Sequence, residues 1–242
     1  MKVRVVSYNI HKCIGGVDRR YDPARTVACL EHYQPDVVLL QEVDAGARRS
    51  NGDHQATLLA EGLGLTHYAW FPNVAVRGGG SYGNAVLSRY PLDEIRNIDL
   101  TVAPKKRRSA LHVACRIRHP DGHHRTVHVF NLHLGLAQYE RRIQVEHFVE
   151  SHPLHGLHHD TPVVIGGDLN DVWGSLASWL APHGFAGVER RPRTFPAWAP
   201  LRALDGLYVR GAVRVDALTR GETELARRAS DHRPLIADLV IG

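Results

Sequence analysis

The stretch at residues 162–170, Pro-Val-Val-Ile-Gly-Gly-Asp-Leu-Asn, decides the fold of this chain. A short β-branched run that ends in two glycines predicts a buried strand that opens at its carboxyl end. Asp168 and Asn170 follow directly, and residues two apart in an extended segment lie on the same side. The spacing predicts that a carboxylate and a carboxamide reach into one pocket, although Asp-x-Asn also makes ordinary turns.

Other apolar runs of the chain end in polar residues in the same way. The first strand is expected to end near Asn9 and another at Glu42, and two strands at 111–117 and 126–131 flank the hairpin signal Asp121-Gly122. Loops at one rim of a rigid scaffold are where catalytic groups collect. The polar residues at these strand ends are Asn9, Glu42, His133, Asp168, Asn170, Asp205, Asp231 and His232.

Helices are predicted between the strands. Asp22 and Pro23 form an N-cap and first-turn signal, and this helix is expected to stop before Pro35. Further helices are predicted at 54–61, 138–150 and 175–180, and further strands at 36–41, 68–71, 84–88, 204–208, 213–217 and 235–240. This mixture predicts an α/β protein of two packed sheets with helices outside. We expect a single domain over residues 1–242, because no repeat or linker divides the sequence.

Composition limits the class of protein. Of the 242 residues, 43% are hydrophobic and 23% charged, as in a soluble globular protein. We expect no transmembrane segment, because no apolar window is long enough, and no signal peptide, because residues 1–8 alternate like a strand. Three cysteines lie far apart without metal or redox spacing, which predicts a reducing compartment and a cytoplasmic location.

The formal net charge of +5 favours anionic partners: nucleic acids, phosphate esters or acidic lipid surfaces. Peripheral contact with a membrane therefore stays an open alternative, and we expect a monomer. The basic run at residues 105–108 is interpreted either as a patch that steers phosphate or as a solubilising loop.

Seven short motifs follow one another along the chain: SYNI at 7–10, QEV at 41–43, GNAVLSR at 83–89, NLH at 131–133, GDLN at 167–170, LD at 204–205 and SDHRP at 230–234. Their order resembles the endonuclease/exonuclease/phosphatase superfamily of DNase I-like enzymes. The resemblance covers the chain from residue 5 nearly to its end, and the opening and tail resemble small stand-alone bacterial hydrolases of the YbhP-like type. It implies a four-layer α/β sandwich, with two mixed sheets face to face and helices on the outer sides.

The resemblance also implies roles for single residues. Glu42 is similar to the main ligand of a Mg²⁺ or Mn²⁺ ion, with Asn9 and Asp231 as further contacts. Asp168 resembles the group that orients or deprotonates the attacking water, and His232 the essential histidine. Four other residues complete the set: Asp205 to orient the histidine, Asn170 to stabilise the transition state, His133 to contact the scissile phosphate, and Asn84 with a lower priority as a substrate contact.

Some of these interpretations have alternatives. Asp205 lies in Ala-Leu-Asp-Gly-Leu-Tyr rather than the usual family context, so a purely structural ion pair is the alternative there. Whether His232 or Asp168 takes the proton from water stays open. Trp198, in a Pro-rich loop, is the most credible aromatic contact to substrate. The histidines at 152–159 are expected in an exposed loop rather than at a metal.

The resulting functional hypothesis is a metal-dependent phosphoesterase that hydrolyses phosphodiester bonds by in-line attack of water, with a nuclease as the first candidate. A phospholipid or small-metabolite phosphodiesterase or phosphatase is the alternative within enzymes. A non-catalytic binding protein on the same scaffold ranks below both, because the chain retains the metal-binding acid and the histidine.

Overall fold

The computed structural model describes residues 1–118 and 122–242. Within these residues the chain forms eleven strands and five α-helices. The strands are β1 (Lys2–Asn9), β2 (Val37–Ala45), β3 (His67–Ala75), β4 (Ser81–Ser88), β5 (Leu92–Asp99), β6 (Ser109–Arg118), β7 (His124–His133), β8 (Val163–Asp168), β9 (Asp205–Arg210), β10 (Val213–Arg220) and β11 (Leu235–Ile241). The helices are α1 (Pro23–His32), α2 (Gln55–Leu63), α3 (Gln138–Glu150), α4 (Ser175–Leu180) and α5 (Glu224–Arg228).

The strands form two mixed sheets that pack face to face. One sheet has six strands in the order β10-β11-β1-β2-β4-β3, and the other has five in the order β5-β6-β7-β8-β9. The pairs β1/β2 and β7/β8 are parallel, and the other pairs are antiparallel. Alternate residues of both sheets, such as Leu39 and Val129, fill the apolar core between them.

Helices cover the outer face of each sheet. Leu30 of α1 and Leu59 of α2 belong to the core over the six-stranded sheet, and Phe148 of α3 and Leu176 of α4 to the core over the five-stranded sheet. The expectation of a four-layer sandwich is confirmed. No helix in the described part of the chain has the length and apolar character needed to cross a membrane.

The predicted N-terminal cap of the first helix is confirmed. Helix α1 begins at Pro23, and the Asp22 side chain accepts a hydrogen bond from the Arg25 backbone N–H at 3.0 Å. Helices α3 and α4 have the bounds that the sequence predicts. Among the residues that the structure describes, neither α3 nor α4 has a side-chain N-cap, so these two bounds did not depend on capping.

Three features differ from the expectations: strand β5 and helix α5 were not predicted, and strand β2 ends later than predicted. Strand β5 was not predicted, because it is an edge strand with mostly exposed, polar residues and so carries no apolar run. The predicted end of β2 at Glu42 is wrong: the strand continues to Ala45, and Glu42 lies at an irregularity between Leu40 and Val43 with φ +57°. The predicted turn at Asp121-Gly122 falls partly outside the described residues, because Asp121 is not among them.

A buried amide joins the two sheets next to this irregularity. Asn131 on β7 donates its Nδ2 hydrogens to the carbonyls of Leu40 and Ala85, both at 2.8 Å. Its Oδ1 accepts a hydrogen bond from Gln41 Nε2 at 2.7 Å, and Asn131 is fully buried. One side chain of the five-stranded sheet therefore satisfies backbone groups of β2 and β4 in the other sheet.

An Asn131→Leu variant is expected to lower the free energy of unfolding by about 3 kcal/mol, because two buried carbonyls and one buried amide lose their partners while the side-chain volume changes little. Urea unfolding followed by circular dichroism measures this loss. Gln138→Ala, on an exposed position of α3, is the control and should change stability by less than about 0.5 kcal/mol. Equal stabilities of the two variants would contradict the role given to Asn131.

Candidate active site

Register places three predicted residues in a row at one edge of the five-stranded sheet. His133 on β7 is opposite Asp168 on the parallel strand β8, and Asp168 is opposite Asp205 on the antiparallel strand β9. Gly167 makes this close row possible, since it has φ +145° and a Cβ there would lie 1.9 Å from the carbonyl oxygen of Leu132. Gly167 therefore allows a close approach of backbone at the strand end, whereas a Cβ at Gly166 would lie 2.8 Å from the Leu39 Cδ1 methyl of the facing sheet.

The second sheet and a loop add further groups around Asp168. Asn9, the last residue of β1, donates from Nδ2 to Asp168 Oδ2 at 2.9 Å. His133 Nε2 lies 3.5 Å and His232 Nε2 3.8 Å from the same oxygen. The structure thus brings three predicted residues, from both sheets and from the segment before β11, to the buried Asp168 carboxylate.

His232 is held by a carboxylate behind it. Its Nδ1 lies 2.8 Å from Asp205 Oδ2 and donates to it, because an ionised carboxylate can only accept. Thr194 Oγ1 donates to the same oxygen at 2.5 Å, and the Phe195 ring is 5.0 Å from the imidazole. These contacts leave Nε2 of His232 directed toward Asp168. The contact of Thr194 with Asp205 joins residues eleven apart in sequence and becomes visible only in the folded chain.

The electrostatics of the buried groups follow from these contacts. Burial raises the pKa of Asp168, with a further rise from Asp205 and an opposing effect of His232. Burial acts to lower the pKa of His232, but Asp205 and Asp168 outweigh burial and raise this pKa above its ordinary value. Burial lowers the pKa of His133, and the neighbouring Arg108 lowers it further. At neutral pH the site therefore pairs an imidazolium at His232 with a neutral imidazole at His133.

Glu42 lies where the chain of β2 bulges. Its carboxylate forms an ion pair with the Lys12 ammonium. Burial acts to raise the pKa of Glu42, but Lys12 and His133 outweigh it and lower the pKa to about 2. The Lys12 ammonium therefore lies on the predicted metal ligand.

The donor set fits a hard divalent cation. Glu42 supplies an ionised carboxylate that already attracts one cation, and Asn9 and Asp231 supply further oxygen atoms, the ligands that Mg²⁺ and Mn²⁺ prefer. Asp168, Asp205 and His232 also bring ligand atoms within 4.8 Å of one another. Asp205 Oδ1 is buried and has no hydrogen-bond partner within residues 1–118 and 122–242.

The other predicted residues occupy different surroundings. Asn170 has φ +50°, its backbone N–H donates to Asp168 Oδ1 at 3.2 Å, and its Nδ2 donates to the Leu134 carbonyl at 3.0 Å. Asp231 is half-buried, with Oδ1 3.3 Å from Ser230 Oγ. Trp198 is 67% exposed and borders a cleft together with Asp231. The roles given to these residues stay predictions.

Asn84 lies inside the molecule, between the sheets. It is fully buried, and its Nδ2 donates to the carbonyls of Ser109 and Asn131 at 3.2 and 3.4 Å. Its Oδ1 has no partner among the described residues. This position favours a role in joining the sheets next to Asn131, and a contact with substrate stays a prediction.

The basic run at 105–108 separates into two environments. Arg108 is buried near the site. Burial is the largest influence on the pKa of His133 and of Asp168, and the positive charge of Arg108 acts to lower both pKa values. Lys105 and Lys106 are exposed, and the Lys106 ammonium lies 4.9 Å from the centre of the Tyr82 ring. Sequence reasoning could not single out Arg108, because four adjacent cations look alike until the strand that follows them fixes which one turns inward.

Two facing sheets with these residues at their shared edge define a DNase I-like protein, and the chain belongs to the endonuclease/exonuclease/phosphatase family, whose sequence model matches residues 6–232. It falls in the YbhP-like branch: the YbhP protein of Escherichia coli strain K12 is 34% identical over 98% of this chain and 95% of its own length.

Two solved structures have a similar fold. The endonuclease/exonuclease/phosphatase from Beutenbergia cavernae superposes with a TM-score of 0.80 at 25% identity, over 100% of this chain and 72% of that one. The endonuclease/exonuclease/phosphatase from Bacteroides vulgatus gives a TM-score of 0.77 at 17% identity and covers both chains completely. The second similarity supports the fold alone.

Proposed function

We propose that this protein is a divalent-metal-dependent phosphoesterase that hydrolyses phosphodiester bonds, with nucleic acid as the first candidate substrate. The observation that carries the proposal is the buried Asp168 carboxylate, which is surrounded by Asn9, His133 and an oriented His232. Membership of the family supports phosphoester chemistry.

The residues divide the work of hydrolysis as follows. Asp168 accepts the proton of a water molecule that attacks phosphorus in line with the leaving oxygen. His232 carries a proton on Nε2, because its Nδ1–H is committed to Asp205 and the neighbouring carboxylates favour the imidazolium. That proton stabilises the negative charge that develops on a phosphate oxygen. The proton-accepting role therefore goes to Asp168, since a cationic His232 has no free lone pair.

Glu42, Asn9 and Asp231 would hold the metal ion. When bound, Mg²⁺ or Mn²⁺ neutralises negative charge on the phosphate oxygens. The Asn9 side chain also makes two hydrogen bonds that fix its orientation. Its Nδ2 donates to Asp168, and its Oδ1 accepts the His11 backbone N–H at 3.1 Å. His133, neutral at its lowered pKa, can donate a hydrogen bond to the substrate phosphate.

A basic cleft next to the site supports a polyanionic substrate. The cleft has a volume of about 900 Å³. One of its lining residues is Val172, two residues after Asn170. Trp173 and Trp198 lie outside this cleft and border others; they are 81% and 67% exposed, and such side chains can stack on nucleic-acid bases. Two glutamates and five arginines line the cleft: Glu189, Glu222, Arg190, Arg191, Arg193, Arg202 and Arg220.

The test of the chemistry is a hydrolysis panel in Mg²⁺, in Mn²⁺ and in EDTA. The substrates are bis-p-nitrophenyl phosphate, p-nitrophenyl phosphate, single- and double-stranded DNA, RNA and phospholipid vesicles. Diester cleavage that stops in EDTA and returns with added metal is the expected result. Cleavage of monoesters alone, or of the vesicles in preference to nucleic acid, would favour the alternative substrates. Full activity in EDTA would contradict the metal-dependent reaction.

The role of the basic cleft is tested by a double variant, Arg190→Gln with Arg193→Gln, both at exposed positions. Binding of single-stranded DNA is expected to weaken, and the slope of log K against log[salt] to fall by about 1.4, because about two phosphate contacts are lost. Hydrolysis of bis-p-nitrophenyl phosphate should not change. Arg142→Gln, on α3, is the control. The same salt slope in all three proteins would contradict binding of nucleic acid in this cleft.

A further inference from the structure

A second group of metal-binding side chains lies on the outer face of the five-stranded sheet. Glu94 of β5, His112 of β6 and His128 of β7 each bring one ligand atom to within 4.8 Å of the others. His128 precedes His133 by five residues on the same strand, so the two point to opposite faces and lie about 17 Å apart along β7. The group is therefore separate from the candidate active site.

The two histidines are buried and close together. His112 is fully buried and His128 is 6% exposed, and His112 Nε2 lies 3.0 Å from His128 Nδ1. The His112 ring also stacks on Phe130 with ring centres 4.5 Å apart, which fixes its orientation. His112 Nδ1 is a buried nitrogen without a hydrogen-bond partner in the part of the chain that the structure describes.

Glu94 reaches this pair through an irregular backbone. The pairing of β5 with β6 shifts between Asp93 and Arg96, and Glu94 has φ +51°. A left-handed conformation is unfavourable for a residue with a long side chain, and bulges of this kind redirect a side chain out of the regular alternation. At this bulge the exposed Glu94 side chain brings a carboxylate oxygen near two buried imidazoles.

We propose that Glu94, His112 and His128 form a binding site for a first-row transition-metal ion of the Zn²⁺ type. Two imidazoles and one carboxylate are a donor set of Zn²⁺ sites, whereas Mg²⁺ prefers oxygen ligands alone. Two nitrogen ligands of a tetrahedral Zn²⁺ lie about 3.4 Å apart. The observed 3.0 Å between the ring nitrogens is thus close to the spacing that the ion requires.

Proton balance at the two facing ring nitrogens is compatible with a bound ion. In the metal-free pair one ring donates its N–H to the lone pair of the other. When the ion binds between these two nitrogens, that shared proton moves to the outer nitrogen of the donating ring, and each inner nitrogen offers a lone pair.

Two neighbouring positive charges, Arg96 and Arg210, oppose binding. Arg96 is opposite His112 in the pairing of β5 with β6, and its guanidinium approaches His152 Nδ1 at 3.1 Å. A positive charge near a cation site weakens binding, although the exposure of Arg96 allows solvent to screen it. An Arg96→Gln variant is therefore expected to bind Zn²⁺ more tightly than the wild type.

The experiment is a Zn²⁺ titration of the full chain against a chromophoric chelator, with excess Mg²⁺ present to occupy the oxygen ligands of the active site. Loss of a side chain that only hydrogen-bonds to a metal ligand typically costs about 10–100-fold in metal affinity. Loss of a ligand in Glu94→Gln or His128→Gln is expected to weaken Zn²⁺ binding by at least about 100-fold. Both variants leave the fully buried His112 in place, and circular dichroism checks that they fold.

Two controls locate the ion. His158→Gln with His159→Gln removes exposed histidines beside Asp160 and should leave the tight binding unchanged. Co²⁺ in place of Zn²⁺ should give an intense visible absorption band, typical of a four-coordinate site, that is absent in His128→Gln. If Zn²⁺ binds equally well to wild type, Glu94→Gln and His128→Gln, or is lost only in Glu42→Gln, the proposal is overturned. Absence of tight Zn²⁺ binding to the wild type overturns it as well.

Discussion

An Asp168→Asn variant is expected to lower kcat for bis-p-nitrophenyl phosphate by about 10³-fold or more, with a smaller change in KM. The amide keeps the size of the side chain but cannot accept the proton of the attacking water, and general base catalysis contributes about 10²–10⁴-fold. The loss should appear mainly in kcat, because an interaction made only in the transition state does not contribute to substrate binding. Steady-state kinetics in saturating Mg²⁺ measure it.

Stability separates this effect from misfolding. Burial raises the pKa of Asp168, so the ionised carboxylate is costly in the folded state. The asparagine variant is therefore expected to have a Tm equal to or higher than that of the wild type. Asp160→Asn, which removes an exposed carboxylate outside the site, is the matched control for activity. Retention of more than a tenth of wild-type kcat in Asp168→Asn would rule out Asp168 as the base.

A His232→Gln variant is expected to lower kcat/KM by about 10³-fold, because the site loses the imidazolium that faces the phosphate. His183→Gln, at an exposed position, should retain wild-type activity. A loss of less than tenfold in His232→Gln would be inconsistent with contact between His232 and the reacting phosphate.

The pH profile distinguishes the role of Asp205 from that of a merely structural acid. Activity needs ionised Asp168 and protonated His232, so the wild type should lose activity in acid as Asp168 protonates, above the usual range of an aspartate, and in alkali as His232 loses its proton. Asp205 raises the pKa of His232, so Asp205→Asn should move the alkaline limb to lower pH. A uniform loss at every pH with unmoved limbs would make Asp205 structural only.

The two candidate metal sites differ in their donor atoms and in the strands that they join. The active-site donors are oxygen atoms at the shared edge of both sheets, whereas the second group joins three strands of one sheet through two nitrogens and one oxygen. A metal at the second site would tie the edge strand β5 to β6 and β7. That strand has few buried residues of its own, so a metal link would stabilise its attachment to the sheet.

Much of the architecture follows from local sequence. Apolar runs with period two, the Asp22-Pro23 cap and the glycines at 166–167 are signals within a few residues, and the strands and helices they predict are present. The strand-end motifs also anticipated that Asp168, His133 and Asp205 lie together, because strands that share a sheet bring their ends to one edge. Family membership, carried by the order of the motifs, was predictable for the same reason.

Tertiary structure decided everything that depends on register between distant strands. The bulge at Glu42, the inward turn of Arg108 and the Asn131 amide that joins the sheets have no local signal, because each depends on backbone groups tens of residues away. The same holds for Glu94, His112 and His128, which share no spacing motif and meet because a bulge and a diagonal pairing align them. Short-range periodicity determines which residues are buried, and cross-strand register determines which buried residues touch.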